Sequence, residues 1–197
     1  MTGETTKSYT QEHIDNVRLL LGIFSDVLRE KGENHDKSKL EEPEIYGWMA
    51  MDREPRYKYG TKEYYEKMRK YAAIFDHHYA VNTHHPEHFK SPENEMTLID
   101  AIEMLCDWFA YKRDIDKEDA LYLIRSQCIR FGFSESFKNL LSNTYLEYLD
   151  KNDAEYQYNQ NKLIADLKLS RTNKYYEWKR FTEKVPDLDE LPSNWEK

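Results

Sequence analysis

Cysteine, glycine and proline are all scarce in this chain, at 2, 6 and 6 of 197 residues. Two cysteines cannot build a disulfide framework. Cys106 and Cys128 sit in apolar helical patterns and read as buried thiols in a reducing compartment. So few glycines and prolines argue against a many-turned β fold and for helices. Basic residues are not in excess either: 29 Lys and Arg face 37 Asp and Glu, for a net charge of −8. That excludes a general affinity for nucleic-acid backbone, which needs a basic surface. A small anionic substrate remains compatible, because a bound metal dominates its local field. No apolar run approaches the length of a bilayer span, and residues 1–8 lack the apolar stretch of a signal peptide. The expectation is a cytoplasmic protein without a membrane partner.

What is present is apolar periodicity and histidine. The chain is 39% hydrophobic and 14% aromatic, with 16 tyrosines, enough for a substantial core. Residues 9–31 predict a first helix, with a capping box at Ser8-Tyr9-Thr10-Gln11 and a stop at Gly32. Its stripe of Val17, Leu20, Leu21, Phe24, Val27 and Leu28 has helical spacing, and His13 extends it. Pro43 opens a short helix to about Met51. Thr61 caps a helix to about Ala80, with Tyr64, Met68, Tyr71, Ala72 and Phe75 on its buried face. Residues 81–96 connect, and Pro86 disfavours helical geometry at His85. Further helices are expected at 97–113, 117–131 and 134–150. After residue 150 Asn, Gln and Tyr rise, so residues 1–150 read as an all-α core and 151–197 as an appendage packed on it.

Six of the seven histidines fall at His13, His35, His77-His78 and His84-His85. His35 is followed by Asp36 and then Lys39. The 97–113 helix is apolar nearly all round, which marks it as buried. Yet Asp100, Glu103 and Asp107 share one of its faces, and buried carboxylates need a cation or a hydrogen-bond network. Imidazole with carboxylate is a ligand set for a catalytic transition metal. One member of each histidine pair points inward, and spacing does not decide between His77/His84 and His78/His85. Asp107 is expected at the metal, Asp100 and Glu103 in support, and His88 outside the site.

His13, His35-Asp36 and Asp107 resemble the H…HD…D signature of the HD-domain superfamily of metal-dependent phosphohydrolases. His35-Asp36-Lys37-Ser38-Lys39 resembles its HDxGK form, with Ser38 in place of Gly. His84-His85-Pro86-Glu87 is similar to the HHE element, although no GYP triplet follows it, which argues against a cyclic-di-GMP substrate. Small phage and bacterial proteins of unassigned function share HDxSK, a downstream HH and EMxxDW. The last is present here as Glu103-Met104-Leu105-Cys106-Asp107-Trp108. The resemblance covers residues 10–115 and implies an HD-domain-like helical bundle around a central metal site. It implies first-metal ligands at His13, His35, Asp36 and Asp107. Second-metal ligands would be His78 and His85, with Asp36 bridging.

The resulting expectation is a nucleotide phosphohydrolase using one or two divalent ions among Mn, Fe, Co, Ni and Zn. Asp36 and Lys39 are its catalytic candidates, the lysine as an electrostatic stabiliser of phosphate. Two alternatives keep other classes open. One is a module that binds metal and nucleotide without turnover. The other is a helical protein whose histidines are polar core groups.

Overall fold

The structure is a computed structural model that describes residues 3–110 and 115–150. Among these residues there are eight α-helices and no strand, so the all-α expectation holds. In chain order they are α1 (Gly3–Asn34), α2 (Glu44–Arg53), α3 (Lys62–Lys70), α4 (Ala72–Val81), α5 (Pro92–Glu95), α6 (Leu98–Ala110), α7 (Lys117–Phe131) and α8 (Glu135–Tyr148). Short 3-10 turns at Lys37–Leu40 and Pro86–His88 join them. None of the described helices is long and apolar enough to cross a membrane. The expected appendage at 151–197, and the extension of α6 to residue 113, lie outside the described residues.

Local chemistry explains most helix starts. Thr61, Asp116 and Ser134 each accept a hydrogen bond from the backbone N–H three residues on, which satisfies a free donor of the first turn. Gly132 ends α7 in the left-handed region at φ 69°, where a side chain would be strained. Pro43 precedes α2 as the sequence suggests.

Two helices differ from expectation. The single helix foreseen after Thr61 breaks at Tyr71, whose backbone leaves helical geometry (φ −104°, ψ 18°). Tyr71 is buried and its hydroxyl donates to Glu54 Oε1 at 2.9 Å, while Lys67 Nζ reaches the Pro55 carbonyl at 3.2 Å. These long-range bonds outweigh local helix propensity. The first helix starts earlier and runs through Gly32 to Asn34. Its expected buried stripe is exposed: every residue from 6 to 27 faces solvent.

The main core forms where α6, α7 and α8 meet. Met104 and Leu105 pack with Ala120, Ile124 and Cys128 and with Leu141 and Tyr145. A smaller cluster of Ala50, Tyr71 and Ile74 joins α2 to α4. Gly47 lets these two helices approach, because a Cβ there would meet Ile74 Cδ1 at 1.2 Å. Both cysteines are unpaired. Cys128 is buried, but Cys106 is exposed, on the side of α6 turned away from this core.

Candidate metal centre

The centre forms between the end of α1, the start of α2, the end of α4 and one face of α6. As α1 ends at Asn34, Asp36 takes a left-handed conformation, φ 55° and ψ 19°. Aspartate tolerates that region better than most residues. The turn carries His35 and Asp36 toward α4 and α6. Beyond Val81 the chain leaves the helix at Asn82 (φ −115°, ψ 103°). His84 and His85 therefore sit on non-helical backbone, and their ring centroids lie 4.1 Å apart.

Three groups of side chains place ligand atoms close enough to share an ion. They are Asp36, His78, His84 and His85; His35, Asp36 and Asp107; and His35, His84 and Glu103, each with its atoms within 4.8 Å of one another. Asp36 links the first two. His78 Nε2 stands 3.2 Å from Asp36 Oδ1 and 2.9 Å from His85 Nε2, and His84 Nε2 is 3.5 Å from the same oxygen. Asp36 Oδ1 and His84 Nε2 are buried without an aligned hydrogen bond.

Two glutamates set the direction of these rings. Glu44, fully buried at the start of α2, lies 2.9 Å from Nδ1 of both His77 and His78 and accepts from Trp48 Nε1 at 3.1 Å. Glu103 Oε1 lies 3.0 Å from His35 Nδ1 and 3.2 Å from His84 Nδ1. A carboxylate only accepts, so the facing Nδ1 carries a proton, and Nε2 of His35, His78 and His84 is the atom that can lend a lone pair to a cation once its own proton is displaced. Carboxylate-anchored imidazoles of this kind are characteristic of metal-binding histidine.

The charges support the same reading. Burial would raise the Asp36 carboxyl, but His78, His84 and Lys39 hold it well below its ordinary range. Glu103 is depressed likewise, against burial, by His35, His84 and Lys31. Its Oε2 has Lys31 Nζ at 3.1 Å, and Lys31 also donates at 2.8 Å to Asp100 Oδ1 and Thr83 Oγ1. His35 is pushed up to about 10 by Asp107 and then Glu103. His85 is pushed down to about 3 by burial and by the charges of His84 and His78. A converging set of ionised carboxylates and imidazole lone pairs needs positive charge at its middle. Protons on the imidazoles supply it without an ion, and a divalent cation fits the same donors.

His35, Asp36, His78, His85 and Asp107 are thus brought together, and Lys39 Nζ lies 2.6 Å from Asp36 Oδ2. His13 is not. It is exposed on α1, and the 21 residues from there to Asn34 span about 30 Å of helix. It cannot reach the ion that His35 and Asp36 of the same chain would hold. The pairing of His77 with His84, or of His78 with His85, assumed one continuing helix. Because α4 stops first, His84 and His85 both enter, while His77 stays at the rim on Glu44. Glu44 and Lys31 carried no sequence signal beyond being charged residues near helix ends. His88 Nδ1–H donates to the Tyr79 carbonyl, 2.9 Å away and apart from the three groups.

A family model described as a family of unknown function, DUF5662, matches residues 2–147. No curated protein and no solved structure matches the chain.

Proposed function

The chain belongs to the DUF5662 family, and we propose that this member is a divalent-metal phosphohydrolase acting on a nucleotide phosphate ester. The observation that carries the reading is the convergence of Asp36 Oδ1 with Nε2 of His78, His84 and His85, two of these rings being held from behind by Glu44 and Glu103. Asp36, His78, His84 and His85 would hold one ion, and His35, Asp36 and Asp107 a second. A bound divalent ion supplies a water of lowered pKa and polarises a phosphoryl oxygen.

The protein's own residues provide the remainder. Asp36 is the shared acceptor of both groups, so its charge sets the affinity of each. Lys39 bridges the buried centre and solvent: its ammonium contacts Asp36 Oδ2 and lies 5.1 Å from the Trp48 ring. There it can donate to an incoming phosphate oxygen and offset its charge. The carboxylates gathered here repel a phosphate unless a cation balances them. Substrate and metal are therefore expected to bind together. The nucleotide part of the assignment rests on the resemblance to HD-domain phosphohydrolases.

The test is a panel of nucleotides on the metal-loaded full chain, with bound metal and released phosphate measured side by side. Asp36→Asn keeps size and removes the shared charge, so metal and turnover should both be lost. Lys39→Ala should retain metal and slow hydrolysis by roughly tenfold to a thousandfold, as for one lost electrostatic stabiliser. A parent protein that holds metal and hydrolyses none of the panel would put a non-catalytic binding module ahead of the enzyme.

A further inference from the structure

Asp36 is shared by both proposed ion groups, and its two oxygens face unequal surroundings. Oδ1 is buried, with His78 Nε2 and His84 Nε2 at 3.2 and 3.5 Å. His78 and His84 are 1% and 2% exposed, and His85 Nε2 lies 2.9 Å from His78 Nε2. Oδ1 and His84 Nε2 lack an aligned hydrogen bond. Buried polar atoms left so are costly, and a cation between them removes the cost. Oδ2 faces the more open side, where His35 Nε2 is 3.6 Å away and itself 3.4 Å from Asp107 Oδ1. The side chains of His35, Asp36 and Asp107 are 28%, 22% and 26% exposed. A cation already stands at Oδ2: Lys39 Nζ is 2.6 Å from it. The short turn after α1 places this lysine, its backbone N–H donating to the Asp36 carbonyl at 3.0 Å. The ammonium also lies 5.1 Å from the Trp48 ring, a face that attracts cations. Trp48 is tied in turn to the buried Glu44 through Nε1, at 3.1 Å.

We propose that the two groups load unequally: Asp36, His78, His84 and His85 retain one ion, while the Lys39 ammonium stands in the second ion's place at Asp36 Oδ2 and must be displaced before an ion binds His35 and Asp107. A divalent ion and an ammonium that share one carboxylate oxygen repel each other over a few ångströms. The donor sets differ too. Three imidazoles and a carboxylate suit Zn, Ni or Fe, whereas one imidazole and two carboxylates, partly open to water, suit Mn or Mg. Burial adds to the difference, because the inner donors have few waters to return to when an ion leaves. This order reverses the one implied by the HD-domain resemblance, which gave the first ion to His13, His35, Asp36 and Asp107. With His13 at the far end of α1, that set keeps three ligands, and the inner set has four. The loading order rests on the metal-binding half of the proposed function and on no step of its reaction.

Calorimetric titration of the metal-free full chain with Zn, with elemental analysis after desalting, tests it. The parent should retain one ion per chain and bind a second more weakly by about tenfold or more. Lys39→Met keeps the stem over Trp48 and removes the charge. It should tighten the second ion by about tenfold or more, the effect of one neighbouring unit charge, with the first still retained. Asp107→Asn should abolish the weak event and spare the retained ion, and His85→Gln should release the retained ion. Circular dichroism verifies each fold. Lys39 is partly exposed and anchors no ring, so its variant carries the test should a ligand variant unfold. Two ions retained equally by the parent, or a second-ion affinity unchanged in Lys39→Met, would overturn the proposal. Loss of the retained ion in Asp107→Asn, with its retention in His85→Gln, would overturn it equally. A parent that binds no ion overturns it together with the metal centre. A nucleotide panel left intact by protein that loads in this order overturns the hydrolase reading alone.

Discussion

Replacing Glu103 by glutamine should weaken metal binding more than the loss of one hydrogen bond suggests. Glu103 serves three partners at once: His35 Nδ1 at 3.0 Å, His84 Nδ1 at 3.2 Å and Lys31 Nζ at 3.1 Å. All three are donors. The amide oxygen of glutamine can still accept, but its NH2 group meets donors only. Both imidazoles bond Oε1 and Lys31 meets Oε2, so the amide must set its NH2 against the Lys31 ammonium or turn it against both imidazoles, which then lose their anchor and can rotate Nε2 out of the centre. Loss of one such outer partner typically costs ten- to a hundredfold in metal affinity, about 1.4–2.8 kcal/mol. Because two imidazoles share this carboxylate, the upper end is expected. The assay is competitive titration of Zn or Mn against a chelator of known affinity, with circular dichroism to verify the fold. Glu44→Gln, which anchors His78 but leaves His35 and His84 untouched, should fall nearer the lower end. An affinity within twofold of the parent for Glu103→Gln, in a folded protein, would refute the claim that the glutamate orients ligands.

Two further predictions concern stability. Gly47→Ala should cost about 1–3 kcal/mol in denaturant unfolding, since the added methyl overlaps Ile74 Cδ1 and the α2–α4 contact must open; an unchanged midpoint would show that Ile74 repacks freely. Asp100 titrates below its ordinary range, burial being outweighed by Lys31, Thr83 and Thr97. A depressed carboxyl stabilises the fold above its unfolded pKa of about 4 and loses that contribution as pH falls toward its folded value. The stability gap between the parent and Asp100→Asn should therefore be full at pH 7 and shrink below about pH 4. A gap of constant size would show that Asp100 acts by shape and not by charge.

The sequence by itself determined the helical class, because apolar periodicity and capping residues are local properties. Thr61, Asp116 and Ser134 each start a helix by bonding a backbone group three residues away, and Gly132 ends one by its own φ. It also brought Asp107 under suspicion, since a carboxylate on a buried helix face is expensive wherever the chain goes, and His35-Asp36 through the clustering of histidines and the resemblance to the H…HD…D signature. Only tertiary structure decided which candidates meet. His13 shares its helix with Lys31, yet that helix carries the histidine about 30 Å from the centre and the lysine into it. α4 ends at Val81, near the end expected at about Ala80, but that both His84 and His85 turn inward was decided by what packs around the connection. Glu44 and Glu103 became ring anchors when elements far apart in sequence closed on one another. Whether the stripe on α1 is buried depends on what packs against it, and spacing along a single helix holds no information about its neighbour.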